Sequence, residues 1–449
     1  MDSNTIYYAT SCVALVTAFL LYLRLRSQNT PLNIPGPPSP SYIFGHMPQI
    51  LLSPRYGDHE FEWLRSYGSV YRLKKCFGQD RLMVADPLAL QHILHSPDFC
   101  LAPLPKNVLG SEHRELRSAL NVGFTAAAVR NYQPVFQKAA QMISDEFESS
   151  SAVAIDVCPL LCTATLGAAS ETLLGHSIQA LGEDFVANNL QMLALSGSQS
   201  KGDLLIEAIG AYLPKWIWRA TMHLPITAVS TLRKGKHLAD RIGGRIARER
   251  IDAMKQGLDV ETDLFSVLLH ATTSGKMKTE LKENDVVAQT LIVLLAGQEP
   301  TARTLHHGLR MHPDFQDKLR AEIHSNVGGG TGNVAYDNMP LLDAFIKETL
   351  RLYPAMPLFD RVAEQDTIIP LAESITTSTG ESINQIPVQK GQLLTLAIAS
   401  YQRLAPHWGK DPLKFDPSRW LEGTPYKGDA VGPYANLLNF LGGPRTCLG

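Results

Sequence analysis

The ten residues Phe440 to Gly449 read FLGGPRTCLG and form the most specific motif in this chain. Gly442 and Gly443 allow the backbone to turn tightly, so that main-chain N–H groups can point at the sulfur of Cys447. Arg445 adds a fixed positive charge two residues before the cysteine. Nearby N–H donors and a cation both favour the thiolate form of a cysteine.

Phe440 offers an aromatic ring beside this turn. No Cys–His arrangement accompanies Cys447, so the pattern favours a metal-bound or haem-bound thiolate over a free nucleophile. A glycine loop that merely contains a core cysteine remains the alternative.

Three other segments carry charged or polar groups whose positions indicate a role. Glu348 and Arg351 in KETLR are spaced i,i+3 and can pair on one helix face. FDPSRW supplies Arg419 in a loop that can reach back to Glu348. AGQEPT, residues 296–301, places an acid and a hydroxyl in a helix that is otherwise apolar nearly all round, where buried polar groups are costly.

In this order and spacing the segments resemble the haem-thiolate cytochrome P-450 family, over essentially the whole chain. FLGGPRTCLG fits the family pattern F-x-x-G-x-R-x-C-x-G in full, and KETLR fits E-x-x-R. FDPSRW is similar to the stretch that precedes the cysteine, although Ser418 replaces an acid, and AGQEPT resembles A-G-x-[D/E]-T. HRELR looks like W-x-x-x-R with His113 in place of tryptophan.

The resemblance implies a role for each matching residue. Cys447 is the proximal ligand of the iron in haem b (iron protoporphyrin IX), and its thiolate pushes electron density onto the iron to favour O–O cleavage. A structural ion-pair network positions the cysteine loop, and its members are Glu348, Arg351 and Arg419. Other residues surround the haem, three of them neutralising its propionates (Arg117, Arg361 and Arg445) and four standing beside them or in the loop (His113, Phe440, Gly442 and Gly443).

The resemblance also implies fold and activity. We expect a mainly helical domain with a minor β-sheet, acting as a monooxygenase that inserts one oxygen atom from O2 into an apolar substrate. Electrons would come from an NADPH-dependent reductase. Apolar candidate pocket walls at 291–301, at 354–359 and near Ile206 indicate a lipophilic substrate. The formal net charge of −2 argues against general nucleic-acid binding.

One position departs from the family pattern. The proton-relay threonine is expected directly after Glu299, where this chain has Pro300. Proline has neither a side-chain hydroxyl nor a backbone N–H, so it cannot pass a proton and it frees the carbonyl of Ala296. Either Thr301, a water or a substrate hydroxyl takes over the relay, or the enzyme is of a non-oxygenating isomerase or dehydratase type.

The N-terminus predicts a membrane anchor. Residues 6–23 form an uncharged run, about 27 Å long as a helix, which just spans a thin bilayer such as that of the endoplasmic reticulum. Arg24 and Arg26 follow the run, which places the remaining chain in the cytosol. We therefore predict an anchor over 1–30, a proline-rich hinge over 31–40 and a single catalytic domain over 41–449.

The chain ends at Gly449, where the family continues into a helix and a hairpin that cover the proximal face. This suggests a truncated copy of a longer parent. An inactive anchored fragment that no longer holds haem is accordingly a third functional hypothesis.

Overall fold

The computed structural model describes residues 33–101, 111–150, 155–210, 226–257, 263–273, 283–309, 313–327, 336–423, 425 and 428–449. The predicted anchor over 1–30, and most of the aromatic segment 206–225, lie outside these residues. The described part is mainly helical with a small amount of sheet, as the sequence predicts.

The helices follow in chain order and are numbered α1 to α18. They are α1 Met47–Leu51, α2 Glu60–Tyr67, α3 Pro87–His95, α4 Ser111–Leu120, α5 Ala126–Asn131, α6 Gln133–Ser149, α7 Val157–Ala169, α8 Ile178–Leu181, α9 Glu183–Gly197, α10 Lys201–Gly210, α11 Thr227–Lys255, α12 Leu264–Thr273, α13 Glu283–Val287, α14 Thr290–Leu309, α15 Pro313–Val327, α16 Pro340–Leu352, α17 Ile398–Tyr401 and α18 Ala405–Trp408.

The strands form two sheets. They are β1 Val70–Lys74, β2 Asp80–Val84, β3 Phe99–Leu101, β4 Phe359–Ala363, β5 Thr367–Thr376, β6 Ser382–Val388 and β7 Leu393–Leu396. Five of them make one sheet in the order β1-β2-β7-β4-β3, and β5 pairs with β6 in a second. Only the β2–β7 pairing is parallel, and the remaining neighbours run antiparallel.

The chain divides into two compact units. Unit 1 comprises Met1–Pro103, Gln199–Tyr212 and Leu350–Thr446, and unit 2 comprises Leu104–Ser198, Leu213–Thr349 and Cys447–Gly449. Both sheets lie in unit 1, whereas unit 2 contains the long helices.

In unit 1, α3 begins at a buried aspartate. The Asp86 carboxylate accepts a hydrogen bond from the Ala89 amide at the start of the helix, and another from the Ala372 amide of β5. One buried side chain therefore caps α3 and joins it to the second sheet. The hinge region also contacts this unit, since Ile34 is fully buried and the Pro35 carbonyl accepts from the Arg72 amide.

In unit 2, α14 packs against α7 and α11 around an apolar core. Val157–Leu174, which is α7 and the turn after it, is the single described helix that is long and apolar enough to cross a membrane by length and composition. More than half of that stretch, 56%, is buried inside the protein.

The pattern of apolar residues predicts helices at 61–67, 88–95, 137–147, 314–325 and 339–352, and strands in VYRLKK, RLMVA, DTIIPL, SINQIPV and QLLTLAIAS. The helices are confirmed within a few residues at their ends. The strands predicted in VYRLKK, RLMVA, DTIIPL and SINQIPV are confirmed as well. QLLTLAIAS was predicted as one strand, and this is wrong in its second half, because the strand ends at Leu396 and α17 begins at Ile398.

Candidate functional site

The cysteine loop, residues 440–449, contains a tight turn that only glycine fits. Gly443 has φ +67°, and a Cβ placed on it would lie 2.2 Å from the Leu94 carbonyl oxygen at the end of α3. Because no side chain tolerates that approach, Gly443 seats the loop against α3. Thr446 then closes the turn, with its amide and hydroxyl both donating to the Gly443 carbonyl.

A buried glutamine ties the approach to this loop to the end of α16. The Gln402 side-chain amide nitrogen donates to the carbonyls of Leu350, at 3.1 Å, and Arg351, at 2.9 Å. Its oxygen accepts from the Leu438 amide at 2.8 Å. Asn439 adds a parallel bond, 3.0 Å from its Nδ2 to the Leu350 carbonyl. The backbone just before Phe440 is therefore fixed to a helix end.

Arg351 is the second support, and it is fully buried. Its guanidinium donates to three main-chain carbonyls, those of Gln402 at 2.8 Å, Pro412 at 2.7 Å and Lys414 at 3.2 Å. Arg419 donates to the carbonyl of Trp408 at 3.0 Å and reaches the Lys414 carbonyl at 3.4 Å. The two arginines thus hold the 402–414 segment through its backbone.

Arg361 and Arg445 form a pair of like charges. Arg361 is 2% exposed and lies on β4 with its guanidinium 4.7 Å from the Phe359 ring centre. Its Nη1 is buried and has no hydrogen-bond partner within the part of the chain that the structure describes. Burial and the charge of Arg445 lower the pKa of Arg361 to about 10. A buried cation beside a second cation calls for an anion. The two propionates of haem b meet that need, so the residues present fit this cofactor.

Cys447 lies in unit 2 with its side chain exposed. Its thiol donates to the Gly449 carbonyl, with a sulfur–oxygen distance of 3.2 Å. The neighbouring Leu448 packs against the core of that unit, and Gly449 sits close to the Phe124 ring. The sulfur is therefore exposed on unit 2, and the two residues that follow it contact that unit.

Other candidates in unit 2 lie on α4 and α16. Arg117 is half-buried in the last turn of α4, and His113 lies earlier on the same helix. Glu348 is fully buried on α16. Their proposed roles beside the haem and in the cysteine-loop network remain predictions.

The helix α14 presents one exposed face around the AGQEPT stretch. Ile292, Ala296 and Pro300 recur at four-residue spacing and are all exposed, while Gln298 is fully buried. Glu299 lies on the same face and is held by Arg303, whose Nε and Nη2 lie 3.0 and 2.7 Å from Oε1.

Measured around the helix axis from Ala296, Thr301 lies about 140° away, whereas Glu299 lies about 60° away. The Thr301 hydroxyl donates to the Gly297 carbonyl at 3.0 Å. The structure therefore brings Pro300 and Glu299 onto one face and leaves the Thr301 hydroxyl engaged with the backbone. Its proposed relay role remains a prediction.

Sequence reasoning missed Gln402 and Asn439. Both are neutral side chains that bond main-chain groups, and neither belongs to a charged motif. The one signal for Gln402 is a polar residue directly after the apolar run LAIASY.

Comparison with known proteins agrees with this geometry. The cytochrome P-450 family model matches residues 35–449. Cytochrome P-450 monooxygenase 219 of Postia placenta is 32% identical over 93% of this chain and 83% of its own length. Monooxygenase 212 of the same fungus is 31% identical over 95% and 86%. Ganoderic acid synthetase of Ganoderma lucidum is 27% identical over 100% and 89%. The chain therefore belongs to the cytochrome P-450 family, as an oxidoreductase of the monooxygenase type with haem b as its cofactor.

Proposed function

We propose that this chain inserts one oxygen atom from O2 into a lipophilic organic substrate, with electrons supplied by an NADPH-dependent reductase. The observation that carries the proposal is the Cys447 thiol, exposed at the end of a loop that fits the family pattern in full. When bound, haem b supplies the activation of O2 that no amino-acid side chain provides.

The chain's own residues would then bind the haem, fix the cysteine loop and contact the substrate. Cys447 would ligate the haem iron through its thiolate form. Arg361 and Arg445 would hold the haem propionates. The negative charges of the propionates would offset the repulsion between the two guanidinium groups. Gln402 and Arg351 fix the backbone that leads into the loop. The exposed face of α14, built around Ile292 and Ala296, is the wall against which an apolar substrate would lie.

Pro300 favours a second candidate, a non-oxygenating isomerase or dehydratase of the same fold. Proline at this position has no hydroxyl to position a proton, and the nearby Thr301 hydroxyl bonds the Gly297 carbonyl. We place the monooxygenase first because the Glu299 carboxylate, on the same face, can carry protons without a threonine.

We also propose that the chain is anchored in the endoplasmic reticulum membrane by residues 6–23, with the catalytic domain in the cytosol. The uncharged run and the arginines that follow it support this. Alkaline carbonate extraction of expressing cells tests the anchor. The full chain should stay in the membrane pellet, and a chain lacking residues 1–30 should leave it more readily.

The test of the main proposal is the reduced carbon-monoxide difference spectrum of the purified full chain. Wild type should show the strongly red-shifted Soret band of a thiolate-ligated haem. Cys447→Ser should lose that band, and Cys158→Ser, which changes another exposed free cysteine, should keep it. A wild-type chain that takes up haem without the shifted band, or a Cys447→Ser chain that retains it, would contradict the assignment.

Labelled dioxygen separates the two candidates. A monooxygenase leaves one 18O atom in the product for each NADPH that is productively consumed, whereas an isomerase or dehydratase leaves none. Pro300→Thr should raise the product formed per NADPH consumed if wild type is a poorly coupled monooxygenase. An unchanged, unlabelled product would favour the second candidate.

A further inference from the structure

We infer that the main-chain carbonyl of Ala296 binds a hydroxyl group of the substrate. The inference rests on the proposed function, since it takes the exposed face of α14 as a wall of the substrate pocket. It goes further by assigning one atom of that wall and one chemical group of the ligand.

The first step is the chemistry of Pro300. In an α-helix each carbonyl accepts a hydrogen bond from the amide four residues later. The donor that Ala296 would use is residue 300, and proline has no N–H. The helix nevertheless continues through this position from Thr290 to Leu309. The usual partner of the Ala296 carbonyl is therefore missing within a continuous helix.

Neighbouring carbonyls receive compensation from side chains. The Thr301 hydroxyl donates to the Gly297 carbonyl at 3.0 Å, and the Thr304 hydroxyl donates to the Pro300 carbonyl at 2.9 Å. Both hydroxyls are thus directed to carbonyls other than that of Ala296. Pro300 therefore leaves the Ala296 carbonyl without its usual amide donor, and the two nearby threonine hydroxyls bond other carbonyls.

The surroundings of that acceptor are exposed and mostly apolar. Ile292 is 60% exposed one turn before Ala296, and Pro300 is exposed one turn after it. The other polar group on this face, the Glu299 carboxylate, is held by Arg303 at 2.7 and 3.0 Å. A ligand lying on this face therefore meets an aliphatic surface with one main-chain acceptor whose usual amide donor is missing.

The chemistry of the acceptor defines the ligand. A carbonyl accepts hydrogen bonds and cannot donate one. An apolar skeleton that carries a hydroxyl would fit both the acceptor and the surface around it. A methyl ether of the same skeleton would keep the apolar contacts but leave the carbonyl unpaired, and one such bond corresponds to roughly a tenfold difference in affinity.

The experiment measures dissociation constants for three alcohols and their methyl ethers with the haem-loaded full chain, by equilibrium dialysis in detergent. Dodecan-1-ol, menthol and cholesterol supply a linear, a monocyclic and a fused-ring skeleton. Wild type should bind the alcohol of at least one pair roughly tenfold more tightly than the ether. Pro300→Ala restores the amide donor and should reduce this ratio to about one.

Ile292→Ala is the matched control, because it trims the same face without changing the backbone hydrogen bonds. It should weaken the alcohol and the ether by the same factor and keep their ratio. The inference is overturned if wild type prefers no alcohol over its ether, binds none of the six compounds, or keeps its preference in Pro300→Ala. Binding needs no turnover, so the carbon-monoxide spectrum reports failure of the proposed function separately.

Discussion

Replacing Gln402 with leucine tests the support of the cysteine loop most directly. The side chain is fully buried and makes three hydrogen bonds, two to carbonyls at the end of α16 and one from the Leu438 amide. Leucine is close to glutamine in volume but can neither donate nor accept, so the substitution removes the polar contacts and keeps most of the packing.

The size of the stability loss depends on which buried groups lose a hydrogen-bond partner. The Leu350 carbonyl keeps the bond from Asn439, so it is not orphaned. The Arg351 carbonyl and the Leu438 amide each lose the bond that Gln402 supplied. A buried group left unsatisfied costs about 1–3 kcal/mol, so we expect the free energy of unfolding to fall by about 3 kcal/mol.

The assay combines urea unfolding with the rate of haem transfer to apomyoglobin. Gln402→Leu should lose stability and release haem faster than wild type, because the backbone before Phe440 is no longer fixed. Gln365→Leu is the matched control, since Gln365 makes one exposed hydrogen bond, to Asp98. Equal stability and equal haem release in the two variants would refute the positioning role of Gln402.

Three further predictions concern other parts of unit 1. Gly443→Ala should destabilise the protein by at least about 2 kcal/mol in urea unfolding, whereas Gly442→Ala, with φ −153° and its nearest neighbour 3.2 Å away, should cost less. Arg81→Met should lower the free energy of unfolding by about 3 kcal/mol, because the Asp360 carboxylate, 2.6 Å from Nη2 in wild type, loses its cationic partner. Adding Asp360→Leu to this variant should restore most of the lost stability. Burial lowers the pKa of His46 below 6.5, so the stability it contributes is complete above pH 6.5 and is lost as pH falls toward the folded-state pKa; unfolding midpoints at pH 7.5 and 5.5 should differ less in His46→Gln than in wild type.

Much of the fold was predictable because most elements have one strong period. The long helix α11 is the exception, and no pattern in the sequence predicted it. Its buried residues are Ile242, Ile246 and a row at four-residue spacing, Thr231, Gly235, Ala239, Gly243 and Ala247. The residues of that row are too small to register as an apolar stripe. They are small because neighbours come close, and a Cβ on Gly243 would lie 2.2 Å from the Thr290 hydroxyl.

The prediction that the second half of QLLTLAIAS continues the strand was wrong for a different reason. Leu394 to Tyr401 is buried throughout, on both sides of the point where β7 gives way to α17. A run that is buried at every position, with only Thr395 and Ser400 among its apolar residues, shows neither a clear period of two nor one of 3.6, so a strand and a short helix look alike. The charged motifs, in contrast, pointed to Arg351 and the cysteine loop, whose roles at the site remain predictions.

Burial alone would not have separated the two kinds of buried arginine in unit 1. Arg351 and Arg361 are 0% and 2% exposed, and both carry a charge that is costly to remove from water. Arg351 donates to three carbonyls, so the protein itself completes its environment. Among the described residues, Arg361 has a nitrogen without a hydrogen-bond partner and a second cation beside it. We propose that a bound anion completes its environment, so hydrogen-bond satisfaction is the criterion that separates the structural arginine from the candidate ligand-binding one.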